Sequence, residues 1–413
     1  MPRDVVVVGA GIAGLECARS LHERGIDVRV LESGDAVGGR VRTDHVDGFT
    51  VDRGFQVLNP AYPAVRDRVD VAALDLCPLL PGVAVRHDGG LALLADPRRA
   101  PGLLWSTLTS GYVHPRELLA LARWAVPALG PARRLLAGTD TTLARSLADA
   151  HVEGRLRREV VEPFLAGVLA EDDGSTSAQL VRLLVRMFLL GTPGVPAAGM
   201  GALPAQLAAH LPEVTLNAHV DRLERIDGTY RVATPDGGVT ARAVVVATDP
   251  LTAEVLTGEL APRMKGLVTY WYATDEPPTE RPVIVVDGRR DGPVVNAAVM
   301  SAAAPSYAPA GAHLIQVTCL LDEDAPPEPV VRRQAGEMFG VSPSSWREID
   351  RHLIHGALPA QPPPLAIRRA VDLGGGLFVC GDHRDTASLQ GAMVSGRRTA
   401  SAVGRWLGHR PSR

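Results

Sequence analysis

The sequence predicts a two-domain protein: a Rossmann-like α/β domain carrying an α+β domain of mixed sheet and helices. Three observations predict it. The chain has 413 residues, beyond the roughly 250–300 at which one hydrophobic core stops growing. Its first residues run strand, glycine turn, helix and second strand ending on an acid, the order a dinucleotide site needs. Its C-terminal end supplies another apolar strand ending on an acid and opening a helix.

Asp4 to Val8 is a run of valines after one charge, the pattern of a short strand buried on both faces of a parallel sheet. Gly9-Ala10-Gly11-Ile12-Ala13-Gly14 follows, and Leu15 to Arg24 has helical spacing of apolar residues. Gly9 permits the tight turn, Gly11 brings the backbone close to a pyrophosphate, and Gly14 lets helix pack on strand; Ala13 is read with them as part of the cofactor-binding turn. A second strand, Asp27 to Leu31, ends at Glu32, 18 residues beyond Gly14. A carboxylate there accepts hydrogen bonds from a ribose diol and repels a 2'-phosphate. Ser33 belongs to the same group of candidates. At this point NAD and FAD both remain open.

Shortly past Glu32 the chain reads Gly38-Gly39-Arg40-Val41-Arg42-Thr43. Here it resembles the flavin amine oxidase and carotenoid desaturase superfamily, whose second glycine motif has the form GGRxxT. The resemblance implies FAD and a discontinuous FAD domain of the GR2 type. It gives Gly38 and Gly39 a close approach to the nucleotide and Arg40 its phosphate or ribose region. An arginine fork suits phosphate, and glycine permits close approach. Val51 to Val57 resembles the segment leading past the isoalloxazine ring: Gly54 gives room there, and Phe55 and Gln56 are candidates for ring or substrate contact, a buried Phe on an alternating strand being the other reading. Val220 falls where the family has a backbone contact to adenine.

At the far end, Leu377-Phe378-Val379-Cys380-Gly381-Asp382 and the stretch Ala387 to Arg397 resemble the superfamily's closing flavin motif, in wording nearest to the desaturases. By that resemblance Gly381 and Asp382 meet the ribityl chain, while Leu389, Gly391 and Ala392 open a helix toward the flavin pyrimidine edge, where its positive end favours charge on the reduced flavin. Cys380 lies inside the strand, so FAD is expected to be noncovalent.

The expected FAD domain comprises residues 1–90, 205–262 and 365–413, including the buried strand Ala243 to Val246 and hairpin signals at Asp227-Gly228 and Asp236-Gly237-Gly238. The expected substrate domain comprises 91–204, a Leu- and Arg-rich helical part, and 263–364, strand-like runs that roof the active site.

The resemblance implies hydride removal from a C–H bond of a small or apolar organic substrate, with oxygen or a quinone as acceptor. Desaturation of an isoprenoid-like bond, amine oxidation and double-bond isomerisation are the alternatives. Lys265, the only lysine in the chain, matches the amine oxidase lysine that holds a water at flavin N5; a solvated strand end is the other reading. His383 is a candidate acid or base. Arg384 is a candidate anchor for a substrate carboxylate or phosphate, with a loop salt bridge as the alternative, and Tyr270 and Tyr272 are candidate substrate contacts.

A net charge of -3 with no basic run argues against nucleic acid. The four cysteines show no metal-ligand spacing. No export signal or bilayer-spanning run is read, so a cytoplasmic location is expected. The segment Glu117 to Leu135, with Trp124 beside Arg123, Arg133 and Arg134, reads either as a peripheral membrane helix or as an ordinary cap-domain helix.

Overall fold

The computed structural model describes residues 2–235 and 237–408. The valine run forms the strand Arg3–Val8, whose Val5, Val6 and Val7 have no solvent exposure. It pairs in parallel with Val28–Leu31 on one side and Gly237–Val246 on the other; Val214–Thr215 and Leu377–Val379 extend the parallel core outward. Arg222–Ile226 and Thr229–Thr234 form an antiparallel meander onto the N-terminal half of Gly237–Val246. Its turn carries Asp227 and Gly228, both at positive φ, as the hairpin signal requires. Asp236, the first residue of the second hairpin signal, lies outside the described residues.

Helices Ile12–His22 and Leu389–Trp406 cover one face of this sheet together. They touch closely because Gly396 has no side chain: a Cβ there would stand 2.4 Å from the Ala13 carbonyl oxygen. The two ends of the chain are thus one packing unit.

The second sheet has seven strands, in the order Arg347–Pro359, Met264–Thr274, His313–Leu321, Val294–Val299, Ile284–Asp287, Gly82–His87 and Gly90–Ala95. The last two correct the expected boundary: the chain crosses into the second sheet before Gly82, not after residue 90. The physical cause is the parallel pairing of Val83–Arg86 with Ile284–Asp287, a long-range contact that local pattern does not reveal. Helix Glu328–Phe339 covers one face of this sheet. The opposite face meets the hairpin Thr43–Val46/Phe49–Asp52 and the loop after it through Trp271, Phe49, Val51, Phe55 and Val57. Residues 101–190 form the expected helical part. Among the described residues no helix is long and apolar enough to cross a membrane.

Candidate active site

Both glycine motifs meet backbone to backbone. Gly9 adopts φ 103° and its ideal Cβ would lie 2.7 Å from the Ala247 carbonyl oxygen, so the turn after the first strand accepts only glycine. At Gly14 a Cβ would fall 2.1 Å from the Gly9 carbonyl oxygen. Gly38 donates to the Ala10 carbonyl at 2.8 Å, and a Cβ on Gly39 would lie 3.3 Å from the Gly11 Cα. Gly11 itself faces open space: a Cβ there would meet nothing closer than 4.0 Å. Above it lies the N-terminus of Ile12–His22, which has no side-chain cap and no acid in its first turn. Unpartnered N–H groups and the positive helix end therefore border a glycine-lined opening, an arrangement that fits a pyrophosphate.

Glu32 closes the adenosine side. Its carboxylate accepts from the Ala10 N–H at 2.7 Å and the Gly34 N–H at 2.8 Å, with the Ser33 hydroxyl at 3.4 Å. The Ala218 N–H bonds the Glu32 carbonyl at 2.8 Å, which brings the segment leading to buried Val220 beside the acid. On the other side, Arg40 forms an ion pair with Asp382 at 2.7 Å and donates to the Ala357 carbonyl at 2.7 Å. Gly381, preceding that aspartate, donates to the Ser395 hydroxyl of the last helix. Ser388 caps this helix at the Gly391 N–H, and a Cβ on Gly391 would meet the Thr386 carbonyl at 1.9 Å. Leu389 and Ala392, in the same first turn, pack against the core of the sheet.

The loop past the second motif is held from both sides. Gln56, expected at the substrate, donates its amide to the carbonyls of Arg40 at 2.6 Å and Arg53 at 3.0 Å; it fixes the loop to the second motif. Gly54 is at φ 94°, and a Cβ there would lie 2.6 Å from Ile354 Cδ1, so the glycine admits the roof strand. Phe55 packs beside Trp271.

Further expectations change with the geometry. Tyr270 and Tyr272 lie on the far face of the roof, stacked on each other and packed with Trp346 and helix Glu328–Phe339; Tyr270 donates to the Pro326 carbonyl. They are core residues because alternation gives the inward face to Thr269 and Trp271 instead. Lys265 is ion-paired with Glu171 and bonds the Leu169 carbonyl at 3.1 Å and the Thr176 hydroxyl at 2.8 Å. Its ammonium is thus spent at the C-terminal end of helix Glu162–Leu169, where a cation is favoured. Arg384 forms the loop salt bridge, to Glu259 at 3.1 Å. His383 is buried with Nδ1 unpartnered, and burial pushes its pKa down to about 4.

The inward face of the roof carries polar residues that sequence reasoning missed. Register sets Asn296, Thr318, Thr269 and His352 side by side across four strands, with Gln316 opposite Trp271 in the next row. Gln316 is completely buried; its amide N–H bonds Asn296 and Thr318, while Gln316 Oε1 and Trp271 Nε1 have no partner. Isolated polar residues inside apolar strands were the available signal. A second hollow, polar and about 730 Å³, lies at the opposite edge of this sheet among His87, Arg155, Glu159, Arg289 and Arg290. Its arginines are already paired with Glu159, Asp287 and Glu162. Among the described residues no cluster is arranged for a metal ion.

Comparison with known proteins agrees with this geometry. The family model for flavin containing amine oxidoreductase matches residues 12–404. A Mycobacterium tuberculosis protein assigned as a flavin-containing monoamine oxidase is 28% identical over 294 residues, 65% of this chain and 62% of that protein. Hydroxysqualene dehydroxylase of Sinorhizobium fredii is 28% identical over 236 residues, 56% of this chain and 54% of that enzyme. The matched part thus spans under two thirds of the length of these curated relatives. Cyclohexylamine oxidase from Brevibacterium oxydans has the same fold, with a TM-score of 0.72 at 17% identity over 99% of this chain and 100% of that one. A structure from Exiguobacterium assigned as a protoporphyrinogen oxidase gives 0.73 at 19% identity, over 98% and 99%. With a family match across nearly its whole length, the chain belongs to the flavin-containing amine oxidoreductases, a family of FAD-dependent oxidoreductase enzymes.

Proposed function

We propose that this enzyme removes hydride from a C–H bond of a small or apolar organic substrate as a dehydrogenase, passing electrons to an acceptor such as a quinone rather than to oxygen. The observation that carries the reading is the engagement of Lys265: with Glu171, the Leu169 carbonyl and the Thr176 hydroxyl around it, the ammonium has no free donor to hold a water over the flavin. FAD, held noncovalently, would supply the hydride acceptor. The protein's part is to bind and orient. Glycines 9, 11, 14, 38 and 39 and the helix end at Ile12–Ala13 would hold the pyrophosphate, Glu32 the ribose, and Arg40 and Asp382 the middle of the cofactor. The roof, with Trp271 and Gln316 wholly buried in it, excludes water.

Photoreduction without oxygen, followed by rapid mixing with air or with a soluble quinone, tests this. Reoxidation by the quinone should far outpace reoxidation by oxygen. Fast reoxidation by oxygen would sink the proposal and favour the amine oxidase reading, to which the M. tuberculosis relative lends support.

A further inference from the structure

We infer that the helical segment from Leu104 to Leu136 is a docking surface for an anionic lipid bilayer. The first helix of this segment, Leu104–Thr109, is amphipathic the wrong way round for a surface helix in water. Its polar residues point inward: the Ser106 hydroxyl donates to the Leu93 carbonyl at 3.2 Å, and Thr107 accepts from the Ala95 N–H at 3.0 Å. Its apolar residues Leu104, Trp105 and Leu108 face solvent, Trp105 with 75% of its surface exposed. The next helix, Pro115–Ala125, buries only Trp124 and turns Leu119 outward, followed by exposed Val126 and Leu129. Trp124, expected as the interfacial anchor, is instead a core residue bonded to the Ser146 hydroxyl at 2.9 Å; Trp105 is the aromatic at the surface.

These pieces are each tied to the same helix. Arg182 of helix Ala178–Leu190 lies over the Trp124 ring, Arg186 bonds the Ala128 and Gly130 carbonyls, and Arg99, just ahead of the inverted helix, bonds the Phe188 and Gly191 carbonyls at the same helix's end. Leu104, Trp105, Leu108, Leu119, Val126 and Leu129 are thus exposed on elements tied to one helix, more large apolar side chains than a water-facing segment ordinarily shows.

Charge selects the occupant. Arg116, Arg123, Arg133 and Arg134 are exposed and have no carboxylate partner among the described residues, whereas most of the molecule's arginines are paired. From residue 97 to 139 the chain contains one acid, Glu117, and its carboxylate is occupied by the Leu156 N–H at 2.8 Å. Exposed leucines with a tryptophan, rimmed by free arginines, suit apolar insertion at an interface of phosphate headgroups. The proposal is independent of which substrate the enzyme uses.

The test is flotation of the FAD-loaded enzyme with vesicles of phosphatidylcholine alone and of phosphatidylcholine with phosphatidylglycerol, alongside sedimentation velocity. The enzyme should float with the anionic vesicles only. W105S/L108S should weaken this at least roughly tenfold, and replacing the four arginines by Gln should cost roughly fivefold per charge, with the flavin spectrum intact. No flotation, flotation unchanged in W105S/L108S, or a dimer dispersed by that variant without lipid binding would overturn it, the last in favour of a second copy of the chain. Should the variant lose its flavin, brominated phosphatidylglycerol decides with the unaltered enzyme: it must quench tryptophan emission, because the remaining tryptophans are buried or, as Trp406, pack on Phe378.

Discussion

His383 stands among Asp382, Arg384, Arg40 and Arg369, and burial outweighs the aspartate in holding its pKa near 4. The imidazole is therefore neutral across the physiological range, which removes the expected acid–base titration near neutrality. The pH dependence of flavin reduction between roughly pH 6 and 8 should be the same in H383Q as in the parent; a step near pH 6.5 that vanishes in H383Q would contradict this. Asp52 behaves in the opposite sense. It joins three separate segments, accepting from the Thr43 hydroxyl, the Met200 N–H at 2.8 Å and the Tyr307 hydroxyl at 2.7 Å. Burial raises its pKa from 3.8 to about 6, so the folded state holds the proton more tightly than the unfolded one. Stability should then fall as pH rises from about 4 to about 6, by about 3 kcal/mol in total. Urea unfolding across that range should lose this contribution in D52N, and an unchanged pH profile in D52N would contradict it. At this scale the sequence is legible where backbone geometry demands one residue type, as at Gly9 and Gly14. It is not legible for Tyr270 and Tyr272, because both faces of their strand are buried and alternation says only that they share one.

Helix Glu162–Leu169 ends in a left-handed Ala170 and then meets Lys265 and Glu171, each with 9% side-chain exposure. Such a pair contributes little beyond what apolar residues of similar size would, yet breaking it is costly. K265M should destabilise the protein by about 3–5 kcal/mol by stranding the buried carboxylate, and K265M/E171L should recover most of that, as read by thermal unfolding. Equal loss in both variants would exclude the pair as the cause. The sequence shows Lys265 at a strand entrance but conceals its direction, since a register irregularity between Lys265 and Leu267 breaks the alternation there. Between the first and last helices, G396V would drive its side chain into the Ala13 carbonyl. The helices that carry the two halves of the site should separate, costing about 1–3 kcal/mol and loosening FAD, measurable as flavin released on dilution.

Across the whole molecule, the strand and turn motifs at both chain ends announced one nucleotide domain, and the parallel sheet joins them as expected. The second sheet was legible as strands but not in extent: its Gly82–Ala95 hairpin pairs with a strand near residue 285, and no local pattern encodes such a partner. Because Leu377–Val379 pairs with Val244–Val246 at the centre of the domain, a chain ending at residue 364 should be purified without flavin, even if its second sheet folds. Retention of yellow colour in that truncation would refute the reading of the site as shared between the termini.

The pairing of Arg40 with Asp382, 342 residues apart, also sets an order of events during synthesis. Contacts of such span are slow to form, and these cannot form at all until the last helix has left the ribosome. The second sheet, complete by Pro359, can assemble first, and the valine strand at the start of the chain has both of its neighbours, Val28–Leu31 and Gly237–Val246, before Asp382 is made. Capture of the flavin is thereby a closing step of biogenesis, because Asp382 and the last helix are the parts of the site made last.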